Sequence, residues 1–335
     1  MASHSDWSAW HHQLHQRLLK KPQLLPAGSG LVLAISGGQD SMALLGLLRD
    51  LRHKHAWTLK LWHGDHGWHQ HSGEIAAALS AWCRSQGFDI RISRAEQGQT
   101  NSEAKARAWR YAELQKAAEE WNSDVVTAHT ASDRAEGMLM NMARGCDIEG
   151  LSNLREVRPL SEHIPLGPRL RRPLLHLRRD ATSAICSSLQ LPIWLDPSNT
   201  DQSLERNRIR HQVMPVLNQL HPGCEQRMAD LSERLSRVRD TQAGLCDLAL
   251  QSLIHAAGLD RQTMRRLDDP TCRALLATWL RKQGTPRITS QRLDELSHRL
   301  RTGPGNGQSD LGNHWRLEWN PSTIQLINTA PKEKN

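Results

Sequence analysis

From about Leu24 to Leu195 the chain alternates short apolar runs with stretches whose apolar residues recur at helical spacing. That layout predicts a parallel β-sheet covered by helices. Leu31–Ile35 is a continuous apolar run of strand length, and Ser41–Leu51 follows it with helical periodicity. Leu59–His63, Asp89–Ser93 and Asp124–His129 read as three further strands, separated by helices over Ser72–Gln86 and Thr100–Asn122. Thr100 with Glu103 three residues on suggests a capping box at the start of the second of these. A helix holding Met138–Met142 comes after the fourth strand. The stretch Arg144–Pro173 is rich in Gly and Pro and reads as loop, a helix covers about Leu177–Leu189, and Asp196–Asn199 is turn-like.

Beyond Pro215 the strand signals fade. Cys224–Arg301 carries Leu, Ala and Arg at helical spacing with breaks near Gly258, Pro270 and Gly284–Pro286. A domain boundary is therefore expected near Leu217–Gly223: an N-terminal helical segment over 1–23, an α/β domain over 24–217, and a smaller, mainly α-helical domain over 218–330. The N-terminal segment reads as a surface helix, Thr302–Gly307 as a turn cluster, and Pro331–Asn335 as a frayed end.

Composition narrows the function classes. At 335 residues the chain can bury sizeable cores without disulfides or metals. No apolar stretch approaches the ~20 residues of a membrane span. The six cysteines (Cys83, Cys146, Cys186, Cys224, Cys246, Cys272) form no CxxC pair, which fits a reducing cytoplasm better than a disulfide framework or a zinc ribbon. A formal net charge of +8 points to an anionic partner.

The strongest chemical signal is Ser36-Gly37-Gly38-Gln39-Asp40-Ser41, set between the first strand and its helix. At such a turn the backbone N–H groups and the positive helix end converge, and glycines let phosphate oxygens come close. Ser36 and Ser41 add hydroxyls, while Asp40 beside phosphates calls for an intervening cation such as Mg²⁺. No GxxxxGK[ST] motif is present, and no GxGxxG follows a strand.

With this motif the chain resembles the PP-loop ATP pyrophosphatases, whose signature is SGGxDS, and further segments resemble the tRNA(Ile)-lysidine synthetase family in the right order. His63-Gly-Asp65-His66-Gly67 is similar to its HxDHG, and Glu103, Ala106, Arg107, Arg110 and Tyr111 to its E..AR..RY helix. Ala128-His129-Thr130 with Asp133, Glu136 and Arg144-Gly145 is similar to AHTxxDxxE…RG. Arg172-Pro173-Leu174-Leu175 matches RPLL, and Asp196, Ser198 and Asn199 with Arg206-Asn207-Arg208-Ile209-Arg210 match D.SN…RNxxR. The likeness spans Leu31 to about Pro222; the helical remainder agrees only in kind, as a short form of the family. Where many members read HTADDQAET, Ser132 replaces one of two adjacent acids and Gly137 stands early in the helix. Ser132 is expected to cap the helix instead.

The resemblance implies a Rossmann-like PP-loop fold and ATP with Mg²⁺ as the nucleotide and metal. It also implies lysine joined to C2 of the wobble cytidine of a CAU-bearing isoleucine tRNA, through a cytidine adenylated at O2. A PP-loop tRNA thiolase, or another ATP-dependent tRNA-modifying enzyme, is the alternative. The residues carried over are Ser36, Gly37, Gly38, Gln39, Asp40, Ser41, His66 and His129 for ATP, and Asp40 for Mg²⁺. Asp40, Asp133, Glu136 and Arg107 are assigned to catalysis, and Arg110, Arg206, Asn207 and Arg210 to tRNA or substrate.

Several of these residues also admit simpler readings. Asp133 and Glu136 share a helical face and suit Mg²⁺ or the ammonium groups of lysine, or merely complement the helix dipole. Arg107, Arg110 and Tyr111 form either a phosphate contact or a solvated stripe. The group His63, Asp65, His66, His69 and His71 lacks zinc-site spacing, and Trp62, Trp68 and Trp109 read as packing residues. Free lysine and tRNA are the expected partners; no membrane or protein partner is implied, and a homodimer is left open.

Overall fold

The computed structural model describes residues 7–68, 71–96, 98–161, 164, 166–194, 201, 203–255, 258–286 and 288–329. Its contacts divide the chain into two units, Met1–Ser236 and Arg237–Asn335. The expected turn at Asp196–Asn199, His69 and the terminal Pro331–Asn335 lie outside the described residues. Among the described residues no helix is long and apolar enough to cross a membrane.

The first unit is built on a six-stranded sheet. Its strands are β1 (Gly30–Ala34), β2 (Thr58–Asp65), β3 (Ile90–Arg94), β4 (Asp124–Val126), β5 (Val157–Pro159) and β6 (Arg169–Arg171), in spatial order β3-β2-β1-β4-β6-β5. All pairings are parallel except β5 with β6. The apolar run in β1 exists because both faces of the sheet are covered. Leu31 and Leu33 pack with Leu14 and Leu18 of α1 (Ala9–Lys20), with Leu44, Leu47, Leu48 and Leu51 of α2 (Gln39–His55), and with Leu79 and Cys83 of α3 (Ser72–Ser85). Val32 points the other way, into a second cluster with Trp62, Leu170 and Leu114, Ala117 and Ala118 of α4 (Glu103–Glu120).

β1 has β2 on one side and β4 on the other, so the chain winds outward through β2 and β3 and then returns past β1 to β4, reversing the strand order there. A crevice therefore opens at the carboxyl ends of β1 and β4, where open α/β sheets take their ligands. Around it lie α5 (Ala131–Ala143), α7 (Arg179–Ser188), α8 (Glu205–Arg208) and a π-helical turn over Ile209–Val213, while α6 (Ile148–Leu151) and α9 (Met214–Leu220) contribute no lining residue.

α1 is a surface helix with one face, His11, Leu14 and Leu18, buried, and Ser8 caps it. Two local expectations are corrected. Helix α4 is capped by Ser102, which accepts the Lys105 N–H, while Thr100 is buried and donates to the His66 carbonyl at 2.8 Å. The stretch expected as loop contains the short β5, β6 and α6, whose three or four residues are too few to show a period.

The helix α10 (Cys224–Leu253) contains the division between the units. In the second unit, α11 (Arg261–Arg266), α12 (Asp269–Lys282) and α13 (Ser290–Thr302) accompany an antiparallel sheet that the mainly helical expectation lacked. Its strands are β7 (Ile254–His255), β8 (Gly258–Asp260), β9 (Gly307–Gly312), β10 (Trp315–Trp319) and β11 (Thr323–Asn328), in order β7-β8-β11-β10-β9. Leu317, Trp319 and Ile324 face a core with Leu259, Met264, Leu276, Leu296 and Leu300. The strand β9 reads GQSDLG and has no apolar alternation, so pairing, not propensity, makes it a strand. Pro270 does not break a helix; it sits in the first turn of α12, where its missing N–H costs nothing.

Arg261 is fully buried in this unit. Its guanidinium donates to the carbonyls of Leu300 (2.9 Å), Gly303 (3.2 Å), Pro304 (3.0 Å), Gly305 (2.5 Å) and Asn320 (3.0 Å). One cation thus ties the turn cluster after α13 to the β10–β11 turn. Arg261→Met removes the donor that all five carbonyls share and leaves a gap where the guanidinium is buried, so a loss of about 3 kcal/mol or more is expected. Urea denaturation of the full chain measures it; a loss below about 0.5 kcal/mol, the range of an ordinary surface substitution, would show that the turn is held by other contacts.

Candidate functional site

The crevice is a cavity of about 400 Å³. On one wall β1 ends at Ala34, and Ile35 donates its N–H to Trp62 O at 2.8 Å. Gly37 then turns with φ +85°, a conformation that excludes side chains with a Cβ at low cost. Gly38 precedes α2 without any side-chain cap, so the first N–H groups of a 17-residue helix remain open to an anion. Ser41 Oγ accepts from Ser36 N and Ser36 Oγ, both at 3.2 Å, and donates to Gly38 O at 2.9 Å. The two hydroxyls thereby fix the loop's shape.

Asp40 faces the cavity, with Oδ1 accepting from Thr182 Oγ1 at 2.5 Å and Oδ2 lying 3.7 Å from Arg179 Nε. Burial raises its pKa above the usual carboxylate range, against the pull of Arg179. Gln39 contributes backbone only: its amide turns away to Arg179 O (2.8 Å) and Thr182 Oγ1 (3.1 Å).

The opposite wall starts at α5. Thr130 caps the helix, and Asp133 Oδ2 closes the capping box by accepting from Thr130 N at 2.6 Å. Ala131 N–H bonds to Leu177 O at 2.7 Å. Asp133 Oδ1 accepts from Arg206 at 2.6 Å; Glu136 accepts from Arg206 Nε at 2.8 Å and from Arg210 at 2.7 and 2.9 Å. The two carboxylates and two guanidiniums therefore hold one another. Burial works against the charge on Asp133, but Arg206 leads the interactions that outweigh it and hold its pKa below normal. Asn207, between the arginines, donates to Asp201 O at 2.8 Å.

Ser132 is not the cap of α5. Its Oγ accepts the N–H of Arg179 at 3.0 Å and so fastens the start of α7 to α5. Gly137 has a concrete reason: an added Cβ would lie 2.2 Å from Asn153 Nδ2, the amide that approaches Arg134 O at 3.4 Å.

Between the walls, His129 Nδ1 accepts from Arg172 Nε at 3.3 Å and lies 2.9 Å from Thr127 Oγ1. A nitrogen accepting from an arginine carries no proton, so the hydrogen sits on Nε2. Burial, followed by Arg172, holds the His129 pKa well below normal and keeps the ring neutral. Arg107, Arg110 and Arg158 lie 5.4, 6.0 and 5.4 Å from the Tyr111 ring. Burial alone would raise the phenol's pKa; Arg172 and these three cations together lower it.

His63 donates to Ile35 O at 2.8 Å, Asp65 accepts from Arg94 at 2.9 Å, and His66 stacks on Trp68. Among the described residues no three His, Cys, Asp or Glu side chains form a metal cluster. Trp62 is packed inside as expected, whereas Trp68 is 42% exposed and lines the cavity.

Of the expected site residues, Ser36, Gly38, Asp40, Ser41, His66, Arg107, Arg110, His129, Asp133, Arg206, Asn207 and Arg210 line this one cavity. Gly37, Gln39 and Glu136 stand behind it. Sequence reasoning assigned no role to Arg179, to Thr182 or to Trp194, which lines the cavity and donates its N–H to Gly37 O at 3.0 Å. RPLL pointed to Arg172 without a role, while nothing distinguished Arg179 from its neighbour Arg178.

Residues 11–217 match the family model described as the PP-loop domain, and residues 259–318 match the TilS substrate binding domain. The chain resembles a solved U34-tRNA thiolase, NcsA from Methanococcus maripaludis: TM-score 0.56 at 19% identity, covering 68% of this chain and 80% of that one. At that identity the likeness is one of fold. The tRNA(Ile)-lysidine synthase of Parasynechococcus marenigrum is 53% identical, with 96% of this chain and 95% of the relative covered. A tRNA(Ile)-lysidine synthase of Prochlorococcus marinus is 41% identical, covering 96% and 97%. With both segments matched in order and both relatives matched along nearly their whole length, the chain belongs to the tRNA(Ile)-lysidine synthase family.

Proposed function

We propose that this protein uses ATP to join free lysine to C2 of the wobble cytidine in an isoleucine tRNA with the anticodon CAU. The observation that carries the reading is the shared cavity: an uncapped phosphate cradle on one wall and, on the other, Asp133 backed by Glu136, a carboxylate pair already holding cations. An ammonium group suits the same carboxylates.

In the first step the cytidine O2 attacks the α-phosphorus, and the bond to the β-phosphate breaks with its electron pair going to diphosphate. The N–H groups at the start of α2 hold the phosphates, while the Ser36 and Ser41 hydroxyls keep the loop in the shape that presents them. In the second step the lysine ε-amine attacks C2 and loses a proton, and AMP leaves with O2. Neutral His129 offers a hydrogen-bond donor at Nε2 without adding charge. Arg107 and Arg110 meet the polynucleotide backbone, joined by Arg206, Asn207 and Arg210 where the cavity opens. One carboxylate beside a phosphate site is the donor set Mg²⁺ takes with nucleotides. Asp40 would hold the ion, which neutralises phosphate charge when bound.

The thiolase alternative gains no support from the cysteines. Cys83, Cys186, Cys246 and Cys272 are buried, burial pushes Cys83 and Cys186 up to about 11, and no cysteine lines the cavity among the described residues.

Radiolabelled lysine should enter purified CAU-bearing isoleucine tRNA in the presence of ATP and Mg²⁺, and should not enter the same tRNA with uridine at the wobble position. Label in both, or in neither, would refute the reading. Asp40→Ala should reduce diphosphate release by at least about 100-fold while tRNA affinity, measured by filter binding, stays within about twofold; undiminished release would remove Asp40 from the site.

Acid sensitivity follows from two buried imidazoles. Burial lowers His176 to about 4 and holds His129 well below its ordinary 6.5. The unfolded chain binds these protons first, so stability falls as pH drops through 6.5 towards 4, and neither group matters above that window. His176→Gln should therefore flatten the fall in melting temperature between pH 6.5 and 4.5; an unchanged slope would place the acid sensitivity elsewhere.

A further inference from the structure

Arg179 opens α7, and its peptide group is tied down on both sides. Its N–H donates to Ser132 Oγ on α5 at 3.0 Å. Its carbonyl accepts from Gln39 Nε2 of the cradle loop at 2.8 Å. Three elements at the crevice, α2, α5 and α7, therefore meet at one residue. From this anchor the guanidinium extends into the cavity, its side chain 32% exposed.

Its engagement differs from that of the other paired arginines. Arg206 and Arg210 are locked to carboxylates by hydrogen bonds of 2.6–2.9 Å. Arg179 Nε stops 3.7 Å from Asp40 Oδ2, an ion contact too long for a hydrogen bond, and Asp40 takes its hydrogen bond from Thr182 instead. Arg178, next in the chain, pairs outward with Asp180. The structure thus keeps one guanidinium at the phosphate end of the cavity, firmly anchored by its backbone and loosely held by its head.

We propose that Arg179 is a catalytic cation of adenylation, moving from Asp40 onto the departing diphosphate, and that Ser132 is the positioning residue that aims it. The proposal rests on the ATP chemistry of the reading above. As the bond between the α- and β-phosphates breaks, the electron pair collects on diphosphate while the cytidine O2 bonds to the α-phosphorus. A planar guanidinium can donate to two of the diphosphate oxygens at once. The role of Ser132 follows from its place in α5. The first turn that fixes Asp133 through Thr130 also presents the Ser132 hydroxyl to α7, so one turn of helix sets groups on both walls.

The test is single-turnover diphosphate release from ATP with full-length enzyme in excess over tRNA, alongside the steady-state KM for lysine. Arg179→Ala should slow release by about 10²–10³-fold, the usual loss for one transition-state donor. Arg179→Lys should recover no more than about tenfold of this, because a point charge lacks the fork. Ser132→Ala should slow release by about tenfold through misplacement of α7. In all three the lysine KM should stay within about twofold, a split that general loss of structure would not give. Release within about threefold of wild type in Arg179→Ala, full recovery in Arg179→Lys, or a defect confined to the lysine KM would each overturn the proposal. Wild-type enzyme that releases diphosphate on tRNA yet adds no lysine would overturn the lysidine reading and leave this assignment standing.

Discussion

Every group in the cavity takes its position from β1, a strand with no wet face. Leu31, Val32 and Leu33 are sealed on both sides, so its register against β2 and β4 is set by packing on two layers at once. A strand held that firmly delivers the chain to one place, and the loop that follows inherits that precision. The uncapped end of α2 is then a consequence of covalent continuity. The helix must begin within a few residues of the strand end, and no side chain intervenes to satisfy its N–H groups. The same strand order that places β4 beside β1 brings α5, with its carboxylates, across the crevice.

The electrostatic design adds cations to that geometry in two ways. One set is compensated: Arg206 and Arg210 against Asp133 and Glu136. The other gathers Arg107, Arg110, Arg158 and Arg172 around a single tyrosine, with His129 kept neutral among them. Bringing cations together in a partly dry cavity is unfavourable unless an anion is expected there. These four arginines thus acquire a shared location that net charge alone could not supply.

The α/β order, the strand-to-helix motif and the meeting of most candidate residues were legible because they are carried by local signals: apolar runs, glycines, and short motifs in a fixed order. Contacts made by residues with no periodic or motif signature were not. Arg179 looks like any arginine at a helix start, and its meaning comes from Ser132 and Gln39, 47 and 140 positions away. Ser132 itself looked like a cap, because a serine near a helix start usually is one; Thr130, two residues earlier, had already taken that role. In the second unit the polar β9 shows no alternation, and the buried Arg261 reads in sequence as one more surface charge. Only its five carbonyl partners reveal otherwise.

The paired set also determines which substitutions can be interpreted. Asp133, Glu136, Arg206 and Arg210 share hydrogen bonds among themselves, so deleting one leaves a charge of the opposite sign stranded in a buried place, at a cost of about 3–5 kcal/mol for a typical buried pair. A variant at any of the four therefore mixes lost chemistry with a rearranged wall, and single effects within such a unit do not add. Asp40 and Arg179 lie on the other wall, where the ion contact is long and Thr182 already satisfies one carboxylate oxygen. Neither depends on the other for burial in the way the four do. Substitution there reports on phosphate chemistry with the least structural disturbance, which makes the loosely held wall the more informative one.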